Sequence, residues 1–471
     1  MGTRYRRVAA LALLATLTGC AGSTGSTGST STGSSSAASP APAGPTSSGT
    51  PPPATADWPT YHGNAQRTGA VAGLPAAGKL FIRWSRHLDG AVYGQPLIIG
   101  NTVIAATESN TVYGLSRASG RVLWSVQAAS GHPVPLSDQP CGDIDPLGIT
   151  GTPVYDPATG LAYAVAETTG GQKVLAGINV SSGRLVLHRA IPAPDGHPAY
   201  DQQRGALALA DGRIYVVFGG HFGDCGPYRG SIAGVPASGN GPILSYVVPT
   251  AKQGGIWAPG GPVVSPSGTI YVASGNGAAF HPPFDGSDSV IALSPRLQRT
   301  GVFAPSRWPQ DNSGDLDLGS SSPALLASGR ILQVGKSGFG YLLNGRRLGG
   351  VGGQLAQGQV CASFGGPAVS GTTVYVPCFG TGLSAVSVAR GRVQVLWRGP
   401  GTASGSPVVG GGAVWVADWN SGILYELSPA SGRVRQQIGL GSALPHFVSP
   451  SLSGGLILVG TLNGVVAVSG A

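Results

Sequence analysis

A repeated unit runs through the chain from about residue 90 to its end. Each copy opens with a small residue, usually followed by proline, and continues into an apolar stretch. The residues at this position are Pro96, Pro153, Ala206, Pro262, Pro323, Pro367, Pro407 and Pro450. A second apolar stretch follows in each copy, as in "TVIAATE", "RIYVVFG" and "TIYVASG". Short alternating segments rich in β-branched residues predict strands, and copies that cannot bury their faces alone must stack on one another.

Four short strands per copy predict an all-β protein, an eight-bladed β-propeller of four-stranded antiparallel blades over residues 57–471. The last copy ends after three strands, and residues 79–88, "KLFIRWSRHL", can supply the fourth. We therefore expect an N-terminal strand to complete the last blade and close the ring, which leaves no open sheet edge. A transmembrane barrel would need longer strands with an apolar outer face, and the sequence shows none.

The N-terminus has the pattern of an export signal. Three arginines precede an apolar run, Val8 to Leu17, which is too short to span a bilayer. The run ends in "LTGC", which resembles the bacterial lipobox and predicts a lipoprotein signal peptide at 1–19 and a lipidated Cys20. The alternative is an ordinary signal with a chance cysteine. Residues 20–56 carry no charge and predict a disordered linker, so we expect an extracytoplasmic lipoprotein held on a membrane through Cys20.

Charge gives little support to nucleic-acid binding. Lys and Arg number 28 against 19 Asp and Glu, and the charges are scattered with no basic run. The 79 glycines and the charged fraction of 10% favour many short strands and tight turns. We expect a monomer that binds no nucleic acid.

Four cysteines remain besides Cys20, and three pairings are possible. Cys361 and Cys378 flank a turn at Ser370–Gly371 almost symmetrically, so we expect them to face each other across one hairpin. That leaves Cys141 with Cys225. An exported protein can oxidise both pairs.

The loops differ between the two predicted faces of the propeller. Loops from first to second and from third to fourth strands are short throughout. The other loops open on the opposite face, and several are long: Gln127–Thr150, Gly219–Gly230, Gly275–Ser287 and Ala304–Gly319. Long loops on a rigid scaffold usually carry binding or catalysis, so this loop-rich face is the predicted functional surface. The alternative is that the loops only plug the central channel.

The copies resemble the PQQ-type repeat of the quinoprotein alcohol dehydrogenase-like superfamily, with its Ala-x-Asp-x-x-Thr-Gly-x-x-x-Trp signature. "GLSRASGRVLW" keeps the spacing from Gly120 to Trp124, whereas Gly183 is followed at that spacing by Leu187. The resemblance covers nearly all of residues 57–471, with the tryptophan mostly lost. We expect Trp124 and Trp397 to be packing residues.

The resemblance to PQQ alcohol dehydrogenases implies a set of site residues. Trp257 in "GGIW" matches the tryptophan beneath the cofactor, and Asn276 in "ASGNG" matches a Ca²⁺ ligand. Asp317 in "DLDLGSSSP" matches the catalytic base and a further metal ligand, and Lys336 in "GKSG" matches the residue that contacts the quinone. These last two segments look similar to polyvinyl-alcohol dehydrogenases. If the site functions, the resemblance implies PQQ and Ca²⁺ as cofactors.

The sequence also departs from that pattern. Cys225 stands where the Ca²⁺-binding glutamate is expected, which leaves the adjacent Asp224 as a substitute metal ligand. Cys141 lacks the paired neighbouring cysteine, and there is no Cys-x-x-Cys-His haem motif. Each retained residue also has a structural interpretation: Asn276 as a turn residue, Asp317 as an acceptor for backbone donors, Trp257 as a cap on the channel and Lys336 as the partner of Asp317.

Three functions follow. The first, which we favour, is a non-catalytic binding or scaffold protein without cofactor, which takes an envelope protein or polymer on its loop-rich face. It resembles the propeller lipoprotein of outer-membrane protein assembly in repeat and anchor. The second is a PQQ- and Ca²⁺-dependent alcohol dehydrogenase of the polyvinyl-alcohol type. The third is a receptor for a small polar ligand or glycan in the central funnel.

Overall fold

The computed structural model describes residues 57–401 and 404–470. The chain divides into residues 1–52 and 53–471. The predicted signal peptide, the lipidated Cys20 and the linker at 20–56 lie outside the described residues. Within the described ranges, no helix has the length and apolar character needed to cross a membrane.

Eight sheets, each with at least four strands, form the described body, and the four strands of each blade pair antiparallel. The first strand, β1 (Leu80–His87), belongs to the last sheet. Blade 1 contains β2 (Leu97–Ile99), β3 (Thr102–Ala106), β4 (Thr111–Ser116) and β5 (Val122–Gln127), and blade 2 contains β6 (Val154–Asp156), β7 (Leu161–Thr168), β8 (Gln172–Asn179) and β9 (Leu185–Ile191). Blade 3 contains β10 (Asp201–Gln202), β11 (Ala208–Ala210), β12 (Arg213–Gly220), β13 (Ser231–Pro236) and β14 (Leu244–Val247). Blade 4 contains β15 (Val263–Val264), β16 (Ile270–Ala273), β17 (Val290–Leu293) and β18 (Arg299–Ala304).

The second half of the ring repeats this order. Blade 5 contains β19 (Ala324–Leu325), β20 (Arg330–Val334), β21 (Phe339–Asn344) and β23 (Ala356–Gln359). The strand β22 (Gly350–Val351) lies between β21 and β23 in the chain but belongs to the sheet of blade 4. Blade 6 contains β24 (Ala368–Ser370), β25 (Thr373–Cys378), β26 (Gly382–Ser387) and β27 (Gln394–Arg398). Blade 7 contains β28 (Val408–Gly410), β29 (Ala413–Asp418), β30 (Ile423–Leu427) and β31 (Val434–Gly439), and blade 8 contains β32 (Ser451–Ser453), β33 (Leu456–Thr461) and β34 (Gly464–Gly470). The described helical segments are α1 (Trp308–Ser313) and the 3₁₀ turns Tyr61–Gly63, Leu136–Asp138, Leu318–Ser320 and Ala389–Gly391.

The N-terminal strand closes the ring. β1 pairs antiparallel with β34 over its whole length, from Leu80 opposite Gly470 to His87 opposite Gly464. It is the outer strand of blade 8, which joins the two ends of the propeller in one sheet. The predicted eight-bladed, all-β fold and its closure by residues 79–88 are confirmed.

The apolar core lies between neighbouring blades. Inner and middle strands are buried on both faces, as in β7, where all eight residues are buried. Outer strands alternate between exposed and half-buried residues, because their second face meets water. One apolar cluster joins blade 2 to blade 3 and contains Tyr163, Val165, Ile214 and Phe218. The Tyr163 hydroxyl also donates to the Ala237 carbonyl at 2.9 Å, which ties the two blades by a buried hydrogen bond.

Three outer strands each carry a tryptophan that docks onto the following blade. The Trp124 indole N–H donates to the Val180 carbonyl at 3.0 Å, and its ring covers Gly183. Trp84 and Trp397 make the same contact with the Arg117 and Pro429 carbonyls, at 3.0 and 2.8 Å. Trp124 and Trp397 therefore pack as expected. A tryptophan joins neighbouring blades in this way at three junctions.

Blade 5 departs from the expected pattern of short loops. Residues 345–355 separate its third and fourth strands, so the prediction that all such loops are short is wrong here. β22 pairs in parallel with β18 of blade 4. Leu348 is buried in the apolar cluster between blades 4 and 5, which gives this longer loop an apolar anchor.

A segment before β1 crosses the channel at the end where the inner strands turn into the second strands. This plug segment, residues 58–71, bonds through its backbone to the inner strands of several blades: Trp58 N–H to Ile98, Val264 N–H to Ala65, Val369 N–H to Thr68 and Val409 N–H to Gly69. Arg67 at its centre is 3% exposed and donates to the Leu207 and Pro262 carbonyls at 2.7 and 3.2 Å. The sequence analysis did not predict this plug.

Candidate functional site

The loop-rich face surrounds a cavity of about 560 Å³. Trp257, Asp317, Lys336 and Asp224 all line it, so the structure brings together four of the five cofactor-site residues predicted from the sequence. Asn276 is held beside them, because its backbone N–H donates to Asp317 Oδ1 at 2.6 Å. The long loops therefore border a cavity.

Lys336 occupies the centre of a charged cluster. Its Nζ lies 2.7 Å from Asp317 Oδ2 and 2.8 Å from Asp315 Oδ1. The Asp317 side chain is 4% exposed and that of Asp315 is 67% exposed, so one carboxylate is buried and the other meets solvent. With Asn276 on its other oxygen, Asp317 has an N–H donor on each carboxylate oxygen. The ion pair with Lys336 and the bond from a backbone donor match the structural interpretation of Asp317.

Burial controls the titration of this cluster. It raises the pKa of Asp317, and the charge of Lys336 opposes that rise. For Lys336, burial lowers the pKa, but the charges of Asp317 and Asp315 outweigh it and the net direction is upward. Asp288 lies behind them and accepts the Leu318 N–H at 2.6 Å. Burial and then the charge of Asp317 hold the pKa of Asp288 well above its usual range.

Aromatic rings form another part of the cavity wall. The Trp257 ring centroid lies 6.3 Å from that of Phe364 and 6.2 Å from that of Phe447. Phe364 and Phe447 are stacked, with 6.1 Å between centroids and 11° between planes. Lys336 Nζ lies 5.9 Å from the Trp257 centroid, which links the charged cluster to these rings.

Sequence reasoning missed Phe364, Phe447 and Arg204, all of which line the cavity. No local motif marks them, because they lie in connections between blades and become neighbours only when the ring closes. The sequence signal available was position alone, since each lies in a connection that opens on the loop-rich face.

Both disulfides border this face. Cys141 is bonded to Cys225 with 6.2 Å between Cα atoms, and Asp224 beside it accepts the Tyr228 hydroxyl at 2.5 Å. Cys361 is bonded to Cys378 as expected, across the hairpin of β24 and β25. The two arms pair beyond these strands, since Ser363 forms an antiparallel bridge with Cys378 and the Phe379 N–H donates to the Ala362 carbonyl at 2.9 Å. Cys361 lies in the connection that leads from the outer strand of blade 5 into blade 6, and Cys378 ends the second strand of blade 6, so the bond fixes this connection to blade 6.

The side chains do not fit a Ca²⁺ ion. Within residues 57–401 and 404–470, no group of three or more His, Cys, Asp or Glu side chains is placed to hold a metal. Of the predicted ligands, Asp317 is already paired with the Lys336 ammonium and accepts the Asn276 backbone N–H, and Asp224 accepts the Tyr228 hydroxyl. Ca²⁺ requires about six to eight oxygen ligands, and here the Lys336 ammonium neutralises Asp317 instead.

A family comparison assigns the chain. The profile described as "Outer membrane protein assembly factor BamB" matches residues 23–276 and 307–438. The chain belongs to the BamB family of PQQ-like β-propellers. Membership of the BamB family, together with the disulfides, indicates an extracytoplasmic protein.

Quinoprotein dehydrogenases are also related to this BamB-family chain. It is 24% identical over 243 residues to a polyvinylalcohol dehydrogenase of Pseudomonas sp., across 47% of this chain and 36% of that protein. The polyvinylalcohol dehydrogenase of Sphingopyxis sp. (strain 113P3) is 26% identical over 259 residues, across 49% and 36%. The match spans little more than a third of the length of these curated relatives.

Solved structures share the BamB-family fold. The quinohemoprotein alcohol dehydrogenase of Comamonas testosteroni matches with a TM-score of 0.66 and 16% identity, over 88% of this chain and 80% of that one. BamB of Moraxella catarrhalis matches with a TM-score of 0.56 and 16% identity, over 83% and 97%. At these identities the likeness concerns the fold alone.

Proposed function

We propose that this BamB-family propeller is a non-catalytic binding protein of the cell envelope, without a redox reaction of its own. The observation that carries the proposal is the position of Lys336 between Asp315 and Asp317, at 2.8 and 2.7 Å. A PQQ dehydrogenase needs a divalent cation to polarise its quinone and a free carboxylate to accept the alcohol proton. Here a side-chain ammonium occupies the carboxylate that would serve both purposes.

The partner in this proposal is an envelope protein or polymer, bound on the loop-rich face. Phe222 and Phe379 line the cavity and are 69% and 58% exposed, so the face offers apolar contacts at the cavity mouth. The family description as an assembly factor supports a binding role, although it describes the namesake of the family. Lipidation at Cys20 would hold the protein on a membrane.

A PQQ- and Ca²⁺-dependent alcohol dehydrogenase is the second candidate. It is favoured by the two polyvinylalcohol dehydrogenase relatives and by the convergence of Trp257, Asp317 and Lys336 on one cavity. In that function Trp257 would lie beneath the quinone and Lys336 would contact it. Lys336 would first have to leave Asp317, because a carboxylate held in an ion pair is a weak base.

Enzyme assays distinguish the two candidates. The full-length protein is incubated with PQQ and Ca²⁺, and dye-linked oxidation is measured with ethanol and with polyvinyl alcohol. Our proposal expects no oxidation above that of the Asp317→Asn variant. Oxidation that requires Ca²⁺, stops with EDTA and is lost in Asp317→Asn would replace our proposal with the enzyme.

A further inference from the structure

Arg204 lines the cavity without a polar partner. It lies between β10 and β11 of blade 3, on the loop-rich face. Its guanidinium carbon lies 4.8 Å from the Phe447 ring centroid. Across residues 57–401 and 404–470, Arg204 has no hydrogen bond and no carboxylate within ion-pair distance.

Arg204 is half-buried, and the fully buried Arg67 shows how the fold satisfies such a group when it is purely structural. Arg67 in the plug segment donates to the carbonyls of Tyr61, Leu207 and Pro262 and to the Thr60 hydroxyl. Arg204 makes none of these bonds, although burial is sufficient to lower its pKa. An open guanidinium is costly to bury, and its planar fork of donors matches a carboxylate in two parallel bonds.

In the part of the chain that the structure describes, no neighbouring carboxylate forms an ion pair with Arg204. Asp315 and Asp317 are paired with Lys336. Asp143 favours the charged form of Arg204, but it is exposed at the cavity rim and lies beyond ion-pair distance. Burial raises the pKa of Glu108 to about 8, so this side chain is mostly protonated at neutral pH. The guanidinium therefore lacks a buried counter-ion.

Phe447 is held against Arg204 by an unusual backbone. Its φ is 65°, a left-handed conformation that bulky residues rarely adopt and that is concentrated at ligand sites. The Phe447 ring lies 4.8 Å from the Arg204 guanidinium carbon, stacks on Phe364 and has the Trp257 ring at 6.2 Å. The cavity thus combines the guanidinium of Arg204, whose N–H donors are available to a ligand, with several aromatic faces.

We propose that this cavity binds an organic carboxylate with a flat apolar face, the carboxylate on Arg204 and the flat face on the aromatic rings. The cavity volume of about 560 Å³ suits a small molecule or one or two rings of a polymer. Two sources share this chemistry: an aryl acid and a uronic acid unit of an envelope polysaccharide. The proposal rests on the proposed binding function and names the class of ligand for it.

Four small probes test the charge and the flat face separately. The full-length protein is titrated calorimetrically with phenylacetate, with its uncharged analogue phenylacetamide, with glucuronate and with glucose. We expect a carboxylate to bind with a Kd of about 1 mM or tighter and its uncharged analogue to bind at least about tenfold more weakly. Phenylacetate binding alone identifies the aryl source, and glucuronate binding alone identifies the sugar source.

Variants locate the binding site. Arg204→Gln should weaken carboxylate binding at least about tenfold, and Arg204→Lys should retain part of it. Arg296→Gln removes an exposed arginine from the turn between third and fourth strands of blade 4 and should change nothing. Phe447→Gly suits the left-handed backbone, so it should fold normally yet weaken binding through loss of the ring.

The two proposals fail on different readouts. Ca²⁺-dependent alcohol oxidation that is lost in Asp317→Asn would overturn the proposed function. The Arg204 site would be overturned by any of three results: equal binding of charged and uncharged probes, undiminished binding in Arg204→Gln, or no binding of either carboxylate.

Discussion

At the scale of single residues, two cations that line the cavity differ in whether they form ion pairs. Lys336 contacts two carboxylates, whereas Arg204 lies over the Phe447 ring and forms no ion pair within the described residues. The sequence identified Lys336 and Asp317 because they lie in short segments that resemble a known site. It did not identify Arg204 or Phe447, since their role depends on contacts between blades far apart in the chain.

Removal of the Lys336 charge should destabilise the fold. Lys336→Met leaves the buried Asp317 without its cation, and breaking a buried ion pair costs about 3–5 kcal/mol of unfolding free energy. The loss should shrink at low pH, because Asp317 then becomes protonated. Urea unfolding at pH 7 and pH 4.5 measures both effects. Lys252→Met, at an exposed lysine, is the control, and equal stability of the two variants would contradict the prediction.

His62 in the plug segment should make stability depend on acidity. Burial lowers the pKa of His62 to about 3, from about 6.5 in an unfolded chain. The unfolded state therefore binds the extra proton between these values, and this contribution to stability falls as the pH drops from about 6.5 to 3. In His62→Gln that contribution disappears, so stability should fall less between pH 7 and pH 4. Parallel slopes in the two proteins, measured by urea unfolding, would refute this.

At the scale of strands and blades, the sequence predicted the architecture well because each copy carries its own strand and turn pattern. Closure by residues 79–88 followed from counting strands, and the structure confirms it. The long loop of blade 5 could not be foreseen, since the burial of Leu348 depends on blade 4. Trp84 was also missed as a docking residue, because it lies in the segment ahead of the first repeated copy, outside the signature that the copies share.

Alanine substitutions at two glycines can measure how much the contact between Trp124 and Gly183 contributes to stability. Gly183 and Gly212 both have left-handed φ angles, 70° and 65°. A Cβ on Gly183 would lie 2.5 Å from Trp124, whereas one on Gly212 would meet nothing within 4 Å. Both alanine variants carry the backbone strain, but only Gly183→Ala must also displace the indole. We expect it to lose about 1–3 kcal/mol more stability than Gly212→Ala in urea unfolding, and equal losses would exclude a steric role for the docking contact.

At the scale of the whole molecule, two devices connect distant parts of the chain. β1 joins the last blade, and the plug segment bonds to inner strands around the channel. Because both precede the first complete blade, the N-terminal residues can reach their places only when the later blades are formed. The ring should therefore unfold as one cooperative unit, unlike an open array whose end repeats fray.

Truncation of the C-terminus tests this cooperativity. A chain that ends at Asn463 lacks β34, so β1 loses its pairing and β33 becomes an open edge. We expect a lower and broader thermal transition, and hydrogen exchange that accelerates in β1 and also across the plug segment. A peptide of residues 464–471 added in excess should partly restore the transition, and a scrambled peptide should not. Exchange that accelerates only in blade 8 would instead show that the blades are stabilised independently, because the plug would then hold without a closed ring.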